Sequence, residues 1–431
     1  MNILEFLAQR RDNRVHSVAD IQAFVQGATR GDIPDYQVAA WLMAAYLNPL
    51  DAAQTAALTL AMADSGDRLD LSSLPKPWVD KHSTGGVGDK TTLVTLPLLA
   101  ACGLTVVKMS GRGLGITGGT VDKLESVPGF RMDLTPEEMI AQAGRIGLAV
   151  TGQTPRLAPA DKLFYGLRDV TSTVPSIPLI ASSILSKKIA GGAETVVLDV
   201  KCGSGAFMND LAQAKELARW LRDIGTECGL RVEAEITDMD QPLGQACGNT
   251  LEVLEAIHTL QDRGPARFTE LCLHVTGVAL HACGAEPTLE KGIAKATEKL
   301  KSGAAFRKAQ QWFEAQGADP KVLEDDSWAV RAPIQLELNA TSAGFVQQMD
   351  ARAIGQAVVD LGGGRQTKED TIDHRVGVVC HAEVGDSVST GQQLLTLHAG
   401  SAEDAERVVA HLQGAVTVTE ERVEKRPLVL G

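Results

Sequence analysis

The chain has 431 residues, 44% hydrophobic and 22% charged, which is enough for two or three domains with substantial apolar cores. Its 41 Lys and Arg against 54 Asp and Glu give a net charge of −13, so its acidic surface argues against nucleic acids and anionic membranes as partners. The N-terminal sequence has no signal-peptide pattern, and no apolar stretch reaches the length of a membrane span. Seven cysteines are scattered without a CxxC pair, which predicts reduced thiols in a cytoplasmic protein rather than a zinc site or disulfide framework.

Residues 1–66 carry apolar residues at helical spacing, and Ser17 is expected to cap one of these helices. A polar, proline-bearing connection follows at 67–77. Short apolar β-type runs then alternate with helical patterns, which predicts an α/β domain. These runs are WVD, LTVVKM, LAVTG, ETVVLDVK and RVEAEITD.

An insertion at 161–192 interrupts the alternation and is predicted to form two helices joined at Val174-Pro175. We expect these helices to pack with the N-terminal helices as one small all-α domain, beside a larger α/β domain. The chain would cross between the two domains at several points, which are natural hinges. The predicted division is 1–66 with 161–192 for the α domain, 78–153 with 194–330 for the α/β domain, and 331–431 for a C-terminal α+β module.

The C-terminal module is predicted from a change to strand- and turn-rich sequence after about residue 330. Its segment VGVVCHAEVGDSVSTGQQLLTLHA resembles a lipoyl or biotinyl barrel-sandwich. Such carriers need an attachment lysine in the hairpin after the last strand, and the corresponding LHAGSAEDAE has none. The module is therefore interpreted as β-rich and structural rather than as a carrier.

Two glycine-rich loops carry the clearest chemical signal, DKHSTGGVGDKTT at 80–92 and KMSGRGLGITGGTVDKLE at 108–125. Glycines let the backbone approach an anion, hydroxyl and N–H groups donate to its oxygens, and lysines supply charge. A nucleotide P-loop is excluded, because that motif needs Gly before Lys and here Asp89 precedes Lys90. The loops predict an enzyme that binds phosphate or a phosphorylated sugar.

A dinucleotide site is the rival interpretation of the second loop. Gly113, Gly115 and Gly118 satisfy GxGxxG after a strand-like run, and Asp133 stands roughly where a ribose-binding carboxylate belongs. The helix expected after the third glycine is instead Gly119-Thr120-Val121-Asp122, which argues against a dinucleotide. A lone GxGxxG is also weak evidence, so the phosphate site is favoured.

Five motifs in order over about 130 residues resemble the thymidine and pyrimidine-nucleoside phosphorylases. They are KHSTGGVGDK, MSGRGLGITGGTVDKLESVPGF, GQTPRLAPADKLFYGLRDVTSTV, SIPLIASSILSKK and DVKCGSGAFM. The resemblance implies a pentosyltransferase that reversibly phosphorolyses a pyrimidine nucleoside to free base and α-pentose 1-phosphate. It also implies a small α domain plus a larger α/β domain with the cleft between them, and homodimers formed through the α domains. Phosphate is then a co-substrate, and no redox cofactor or catalytic metal is required.

The resemblance also assigns site residues. The phosphate ligands fall on Lys81, Ser83, Thr92, Lys108, Ser110 and Thr120. The base-recognising residues fall on Arg168, Ser183 and Lys187, and the last two lie four apart, on one helix face. His82, beside a phosphate ligand, is assigned as proton donor or hydrogen-bond donor to the departing base, so that His82, Arg168 and Lys187 are the expected catalytic residues. Apolar contacts to base and sugar fall on Leu114, Tyr165, Val174, Ile180 and Phe207.

The chain departs from the family pattern at two places. Ile116 stands where members usually carry His, so a polar contact near the cleft is absent. The sequence does not assign an effect of this change on substrate preference. Some members also hold a monovalent cation at positions equivalent to Gly88, Lys90, Leu243, Ala246 and Glu255. A threonine is common at position 90, so we expect the Lys90 ammonium to take the cation's place and pair with Glu255, and we expect no bound metal.

Three alternatives remain. The first is a strictly thymidine-specific phosphorylase, since tolerance of a sugar 2′-hydroxyl is not assignable to a residue. The second is an enzyme like anthranilate phosphoribosyltransferase, which shares the architecture but needs Mg²⁺ held by acidic ligands. The third is a non-enzymatic binding protein that retains the fold; intact phosphate and base ligands argue against it.

Overall fold

The computed structural model describes residues 1–431 apart from 114, 366, 368 and 369. In the first half the elements are α1 (Ile3–Arg11), α2 (Val18–Arg30), α3 (Asp35–Leu47), α4 (Ala52–Ala63), β1 (Val79–Ser83), α5 (Thr91–Ala101), β2 (Val106–Met109), α6 (Thr120–Glu125), α7 (Pro136–Ile146), β3 (Leu148–Thr151), α8 (Pro159–Val170), α9 (Ile177–Ala190), β4 (Thr195–Cys202), α10 (Leu211–Glu227) and β5 (Arg231–Asp238). In the second half they are β6 (Ala246–Cys247), α11 (Asn249–Leu260), α12 (Ala266–Ala282), α13 (Leu289–Lys301), α14 (Ala304–Ala315), β7 (Ile334–Asn339), β8 (Gly344–Met349), α15 (Ala351–Asp360), β9 (Gly377–Cys380), β10 (Ser387–Val388), β11 (Gln393–Ala399), α16 (Ala402–Leu412) and β12 (Val416–Thr419). None of the helices in these described stretches is long and apolar enough to cross a membrane.

The N-terminal helices α1–α4 share an apolar core with α8 and the start of α9. At its centre the ring of Trp41 lies 4.9 Å from that of Phe24 and 6.5 Å from that of Phe164, which comes from α8. The predicted Ser17 cap is confirmed, since its Oγ accepts a hydrogen bond from the Asp20 N–H at 3.1 Å and so satisfies a free donor of α2. Two separate stretches of chain thus form one helical core, although the predicted domain boundaries stay a prediction.

The α/β part is built on parallel strands. Strands β1, β4 and β5 pair in that order, β2 pairs with β3, and a bridge between Trp78 and Thr105 joins the two groups. Strand β4 is buried along its whole length, as expected for a central strand covered by helices on both faces. The carboxyl ends of β1 and β2 lead into the two glycine-rich loops, so the fold places both loops at one edge of the sheet.

One expectation about the second loop is wrong. A helix does follow Gly118, because α6 begins at Thr120. Gly119 is extended and turns the chain into that helix, in which Asp122 lies in the first turn and Lys123 in the last, as helix ends favour. Because this helix is present, the sequence argument against a dinucleotide at this loop no longer holds.

The C-terminal module contains two antiparallel sheets, ordered β10-β8-β12 and β6-β9-β11-β7. Strand β6 comes from the α/β part and pairs with β9, which joins the module to the rest of the protein. The sequence interpretation missed α15, whose first turn is capped by the Asp350 side chain. In the segment where a carrier protein has its attachment hairpin, the chain forms α16. The predicted fold class, a small α domain with a larger α/β domain and a β-rich C-terminal module, is confirmed.

Candidate active site

A cleft of about 590 Å³ opens between the loops that follow β1 and β2 and the helices α8 and α9. It brings together most of the residues that the sequence analysis selected, from segments more than a hundred residues apart. Those that line the cleft are His82, Ser83, Thr92, Lys108, Ser110, Thr120, Tyr165, Arg168, Val174, Ile180, Ser183, Lys187 and Phe207. The predicted contact at Leu114 lies outside the described residues.

The cleft is a positive region in an acidic protein. Two carboxylates, Asp89 and Asp169, line it together with six cationic side chains. Its walls therefore attract anions, although the whole chain carries a net charge of −13. The six cations are Lys108, Arg112, Arg168, Lys187, Lys188 and Arg365.

Lys108 lies at the inner end of the cleft on β2. Its Nζ donates to the backbone carbonyl of Lys81 at 2.6 Å and lies 3.4 Å from the Asp80 carboxylate. Burial lowers the pKa of Lys108 to about 7, because the distant Asp80 only partly offsets desolvation and Lys188 and Lys81 add repulsion. An incoming anion would supply the negative charge that this ammonium lacks.

Hydroxyl groups surround the same end of the cleft. Within the described part of the chain, the buried Ser110 Oγ has no hydrogen-bond partner, which is costly unless a ligand satisfies it. The Ser83 hydroxyl donates to Asp89 and accepts from the Gly85 N–H at 3.1 Å. Thr92 is buried at the start of α5. The structure thus brings the predicted phosphate ligands Ser83, Thr92 and Ser110 to one cleft.

Lys81 does not line the cleft. Its side chain is fully buried, donates to the Thr91 hydroxyl and lies 4.0 Å from Asp199. Because side chains alternate along β1, Lys81 shares a face with Ser83, which lines the cleft, rather than with His82. Its ammonium is engaged by Thr91 and Asp199, and its backbone carbonyl accepts a hydrogen bond from Lys108, so its role as a phosphate ligand stays a prediction.

His82 lies on the cleft wall, and no hydrogen bond joins its ring to another described residue. Burial lowers the pKa of His82 well below its usual value, and the positive charges of Lys188, Lys108, Lys187 and Lys81 lower it further. The ring is therefore neutral at neutral pH when the cleft holds no anion. A neutral imidazole offers one N–H donor, which suits a hydrogen bond better than proton transfer.

Arg168 is held in place by backbone carbonyls. Its guanidinium donates to Leu179 O at 3.0 Å, Val174 O at 2.6 Å and Thr173 O at 3.3 Å. Burial lowers its pKa to about 10, so the group remains charged. Three of its five N–H groups are used in this way, and the others remain available to carbonyl oxygens of a ligand.

Lys187 and Ser183 contact each other on α9 as their spacing predicted, with Nζ 3.1 Å from Oγ. Lys187 also forms an ion pair with Asp161, a buried residue of α8. Burial lowers the pKa of Lys187, and Asp161 opposes that effect. The carboxylate thus fixes both the position and the charge of the lysine.

The predicted cation position is taken by the Lys90 side chain. Its Nζ donates to Leu243 O at 2.7 Å and Ala246 O at 2.8 Å, and it lies 2.6 Å from Glu255 Oε1. Burial alone would lower the pKa of Lys90, but Glu255 and Glu252 outweigh it and the pKa is raised. The oxygen ligands converge on the ammonium, so they do not fit a separate cation. The described residues also contain no cluster of His, Cys, Asp or Glu that could hold a metal.

Sequence reasoning missed several residues of the cleft. Lys188 is buried and pairs with Asp80 at 2.6 Å, joining α9 to β1 across the cleft floor. Arg112 and Arg365 line the wall and share the carboxylate of Asp122. No local sequence pattern indicates the contact between Lys188 and Asp80. Arg365 follows three glycines, and such a glycine-rich segment with a cation could have been selected as a candidate binding loop.

Three family models match the chain. The glycosyl transferase family a/b domain matches residues 75–306, the glycosyl transferase family helical bundle domain matches 4–66, and the pyrimidine nucleoside phosphorylase C-terminal domain matches 345–419. The first covers more than half of the chain. This protein belongs to the pyrimidine-nucleoside phosphorylase family of glycosyl transferases.

Curated relatives agree with that assignment. The chain is 49% identical to a pyrimidine-nucleoside phosphorylase of Geobacillus stearothermophilus over 92% of both chains. It is 46% identical to a pyrimidine-nucleoside phosphorylase of Staphylococcus haemolyticus over 97% of this chain and 96% of that one. A solved anthranilate phosphoribosyltransferase of Thermus thermophilus matches with a TM-score of 0.59 and 18% identity, covering 73% of this chain and 99% of its own. At that identity the last match concerns the fold alone.

Proposed function

We propose that this protein is a pyrimidine-nucleoside phosphorylase, a pentosyltransferase that transfers the sugar of a nucleoside to inorganic phosphate. The observation that carries the proposal is one cleft with an anion site at one wall and base-recognising donors at the other. Lys108, Ser110 and Thr92 bind phosphate, together with Ser83 and Thr120. Arg168, Ser183 and Lys187 face them from the α helices.

The mechanism follows from where charge develops. As the bond to the base breaks, positive charge forms on the sugar C1 and negative charge on the pyrimidine. Phosphate stabilises the first charge and attacks C1 with inversion. Arg168 and Lys187 stabilise the second by donating to the pyrimidine carbonyls, while Ser183 contacts the N3 edge.

His82 acts in this mechanism as a hydrogen-bond donor to the departing base. Burial and the neighbouring lysines lower its pKa, so it is not a proton reservoir at neutral pH. Because phosphate and nucleoside bind to opposite walls, the walls must close before reaction, and the chain crossings between them are the proposed hinges.

The experiment is a phosphate-dependent base-release assay with thymidine, uridine and deoxyuridine, with inosine as control. We expect all three pyrimidine nucleosides to react and inosine to remain intact. Reaction of thymidine alone would support the strictly thymidine-specific alternative. Base release that does not depend on phosphate would overturn the proposal.

The range of pyrimidine substrates is proposed from the relatives, whose names specify pyrimidine nucleosides in general rather than one particular base. Similarity to anthranilate phosphoribosyltransferase is a likeness of fold. That alternative needs acidic Mg²⁺ ligands, and no group of described residues offers such a cluster.

We further propose that no monovalent cation is needed. Lys90 donates to the two carbonyls and the carboxylate that would otherwise bind one. A positive charge is therefore built into the chain at this position.

The proposed assembly is a homodimer formed through the α domains. Helix α3 exposes the apolar side chains of Tyr36, Met43 and Leu47 at helical spacing. A contiguous exposed apolar surface is typical of a protein interface. A Leu47→Asp variant should shift the sedimentation mass towards the monomer, whereas Val330→Asp, at an exposed position outside the helices, should not. A dimer retained in Leu47→Asp would argue for another interface.

The cytoplasm is the proposed compartment. All seven cysteines are unpaired, and most are buried. Unpaired thiols are typical of reducing environments.

A further inference from the structure

Arg365 connects the C-terminal module to the cleft. It lies between α15 and β9, after Gly362, Gly363 and Gly364, and its side chain lines the cleft wall. Its Nη1 donates to Asp122 Oδ1 at 2.8 Å, and four-fifths of the side chain is buried. The contact joins residues 243 positions apart in the sequence.

Asp122 is the point where three donors meet. The Arg365 guanidinium and Arg112 Nη1 donate to Oδ1, the latter at 3.1 Å, and the Gly113 N–H donates to Oδ2 at 2.6 Å. The carboxylate is almost completely buried. A buried carboxylate depends on such donors, because an unpaired charge at this depth is costly.

The loop that Asp122 organises carries proposed phosphate ligands at both ends. Ser110 precedes it, Thr120 follows it, and the backbones of Gly113 and Gly119 are in such close contact that a side chain at Gly119 would collide with Arg112 and Gly113. The bond from Gly113 to Asp122 ties the beginning of the loop to α6. Any displacement of Asp122 therefore changes the distance between the two ligands.

The two arginines at Asp122 differ in how they are held. Arg112 is half exposed and also forms two hydrogen bonds to Glu125, at 2.6 and 2.7 Å, on the same short helix. Arg365 comes from another module and is mostly buried. Among the contacts of Asp122, the one with Arg365 ties α6 and the loop to the C-terminal module, against which Ile116 of the same loop also packs.

We propose that Arg365 is a positioning residue for phosphate: through Asp122 it holds the glycine-rich loop so that Ser110 and Thr120 converge on one anion. The inference rests on the proposed function of the cleft. Arg365 acts on the geometry of the ligands without itself contacting the anion. The C-terminal module thereby contributes to catalysis.

The first test compares Arg365→Met with Arg375→Met. Arg375 lies in the same segment and pairs with Asp373 only two residues away, so it is a matched control. For Arg365→Met we expect phosphate affinity by calorimetry and KM for phosphate to weaken about ten- to a hundredfold. The KM for nucleoside should stay near that of the unmodified protein, whereas the thermal midpoint should fall because the buried Asp122 loses a donor. Arg365→Lys should recover part of the loss, because it keeps one charged donor.

A double-mutant cycle with Asp122→Asn separates positioning from direct contact. If Arg365 acts through Asp122, adding Arg365→Met to Asp122→Asn should cost little more. Additive losses would indicate that Arg365 binds phosphate itself and would overturn the inference. If Asp122→Asn does not fold, the split between the two KM values in Arg365→Met decides: equal weakening for phosphate and nucleoside overturns it.

The unmodified protein is measured in parallel, so that a failure of the proposed function can be told apart from a failure of the role of Arg365. Failure of the unmodified protein to bind inorganic phosphate would overturn both. Normal phosphate binding by the unmodified protein and by Arg365→Met would overturn the role of Arg365 alone.

Discussion

Two buried lysines, Lys90 before α5 and Lys108 in β2, differ in what surrounds them. Lys90 has two carbonyls and the Glu255 carboxylate within 2.8 Å, and its pKa is raised. Lys108 has one carbonyl at 2.6 Å and a carboxylate at 3.4 Å, and its pKa is lowered to about 7.

The difference separates a structural charge from a functional one. The Lys90 ammonium has an acceptor for each of its three N–H groups, so it gains nothing from a ligand. The Lys108 ammonium is buried with incomplete compensation, and it faces a cleft. Both lysines are almost completely buried, so hydrogen-bond satisfaction rather than depth distinguishes their roles.

The largest expected effect comes from removing the Lys108 ammonium, whose charge the surrounding residues compensate only in part. Lys108→Met should lower kcat/KM for phosphate about a hundred- to a thousandfold, the usual cost of losing a charged donor in a catalytic site. Lys308→Met is the control, since Lys308 also donates to a carbonyl, at 2.9 Å to Ile146 O, and burial also lowers its pKa. Steady-state assays at varied phosphate check this expectation. A Lys108→Met enzyme with a normal KM for phosphate would show that phosphate does not bind at Lys108.

Substitutions on the opposite wall of the cleft should weaken the use of nucleoside and leave phosphate binding unchanged. Arg168→Ala and Lys187→Ala each remove a charged donor to the base, so kcat/KM for every pyrimidine nucleoside should fall about ten- to a hundredfold. Phosphate affinity, measured by calorimetry, should remain unchanged. Lost phosphate affinity with unchanged nucleoside affinity would contradict the assignment of the two walls.

Part of this arrangement was predictable from sequence because local rules fix it. The Ser183–Lys187 contact follows from helical spacing, and the glycine-rich loops follow strands whose carboxyl ends meet at one edge. Lys81 was assigned by resemblance alone, and that assignment stays a prediction, because its ammonium is engaged by Thr91 and Asp199.

The rest depends on contacts that sequence does not encode locally. The Arg365–Asp122 and Lys188–Asp80 pairs join segments more than a hundred residues apart, so spacing rules do not reach them. Helix α15 was missed because the glycines of its segment favoured turns, although Asp350 offered a cap. The pairing of Lys90 with Glu255 and the positions of Leu243 and Ala246 were anticipated from the resemblance, and the structure adds that both carbonyls accept hydrogen bonds from the ammonium.

The Lys90 site gives a smaller but sharper test. Lys90→Thr should make stability and activity depend on potassium, because Glu255 and the carbonyls of Leu243 and Ala246 would then be free to bind it. Lys90→Met is the matched control, since its side chain fills the space and offers no room for the ion. Removing one partner of a buried ion pair costs about 3 to 5 kcal/mol, so both variants should melt earlier without potassium.

Potassium should rescue only Lys90→Thr. Thermal melts and assays in potassium against a large organic cation measure the rescue. The unmodified protein should be indifferent to the exchange, and potassium-dependent activity in it would contradict the proposal that Lys90 replaces the ion.

The smallest expected effect is a proton taken up by Lys108 when phosphate binds. Before phosphate binds, the pKa of about 7 leaves most of the lysine neutral at pH 8. A bound dianion stabilises the ammonium and raises that pKa, so binding at pH 8 should draw close to one proton from the buffer. At pH 6 the lysine is already protonated, and uptake at this group should vanish. Phosphate affinity should accordingly fall as the pH rises above 7.

Calorimetry in two buffers with different ionisation enthalpies measures this uptake directly. Lys108→Arg is the informative variant, because a guanidinium stays charged over the whole range and still binds phosphate. It should bind with the same enthalpy in both buffers at pH 8, whereas the unmodified protein should not. Equal enthalpies for the unmodified protein would mean that Lys108 is already charged in the empty cleft. The contrast with Lys90 would then lie in geometry alone, not in protonation.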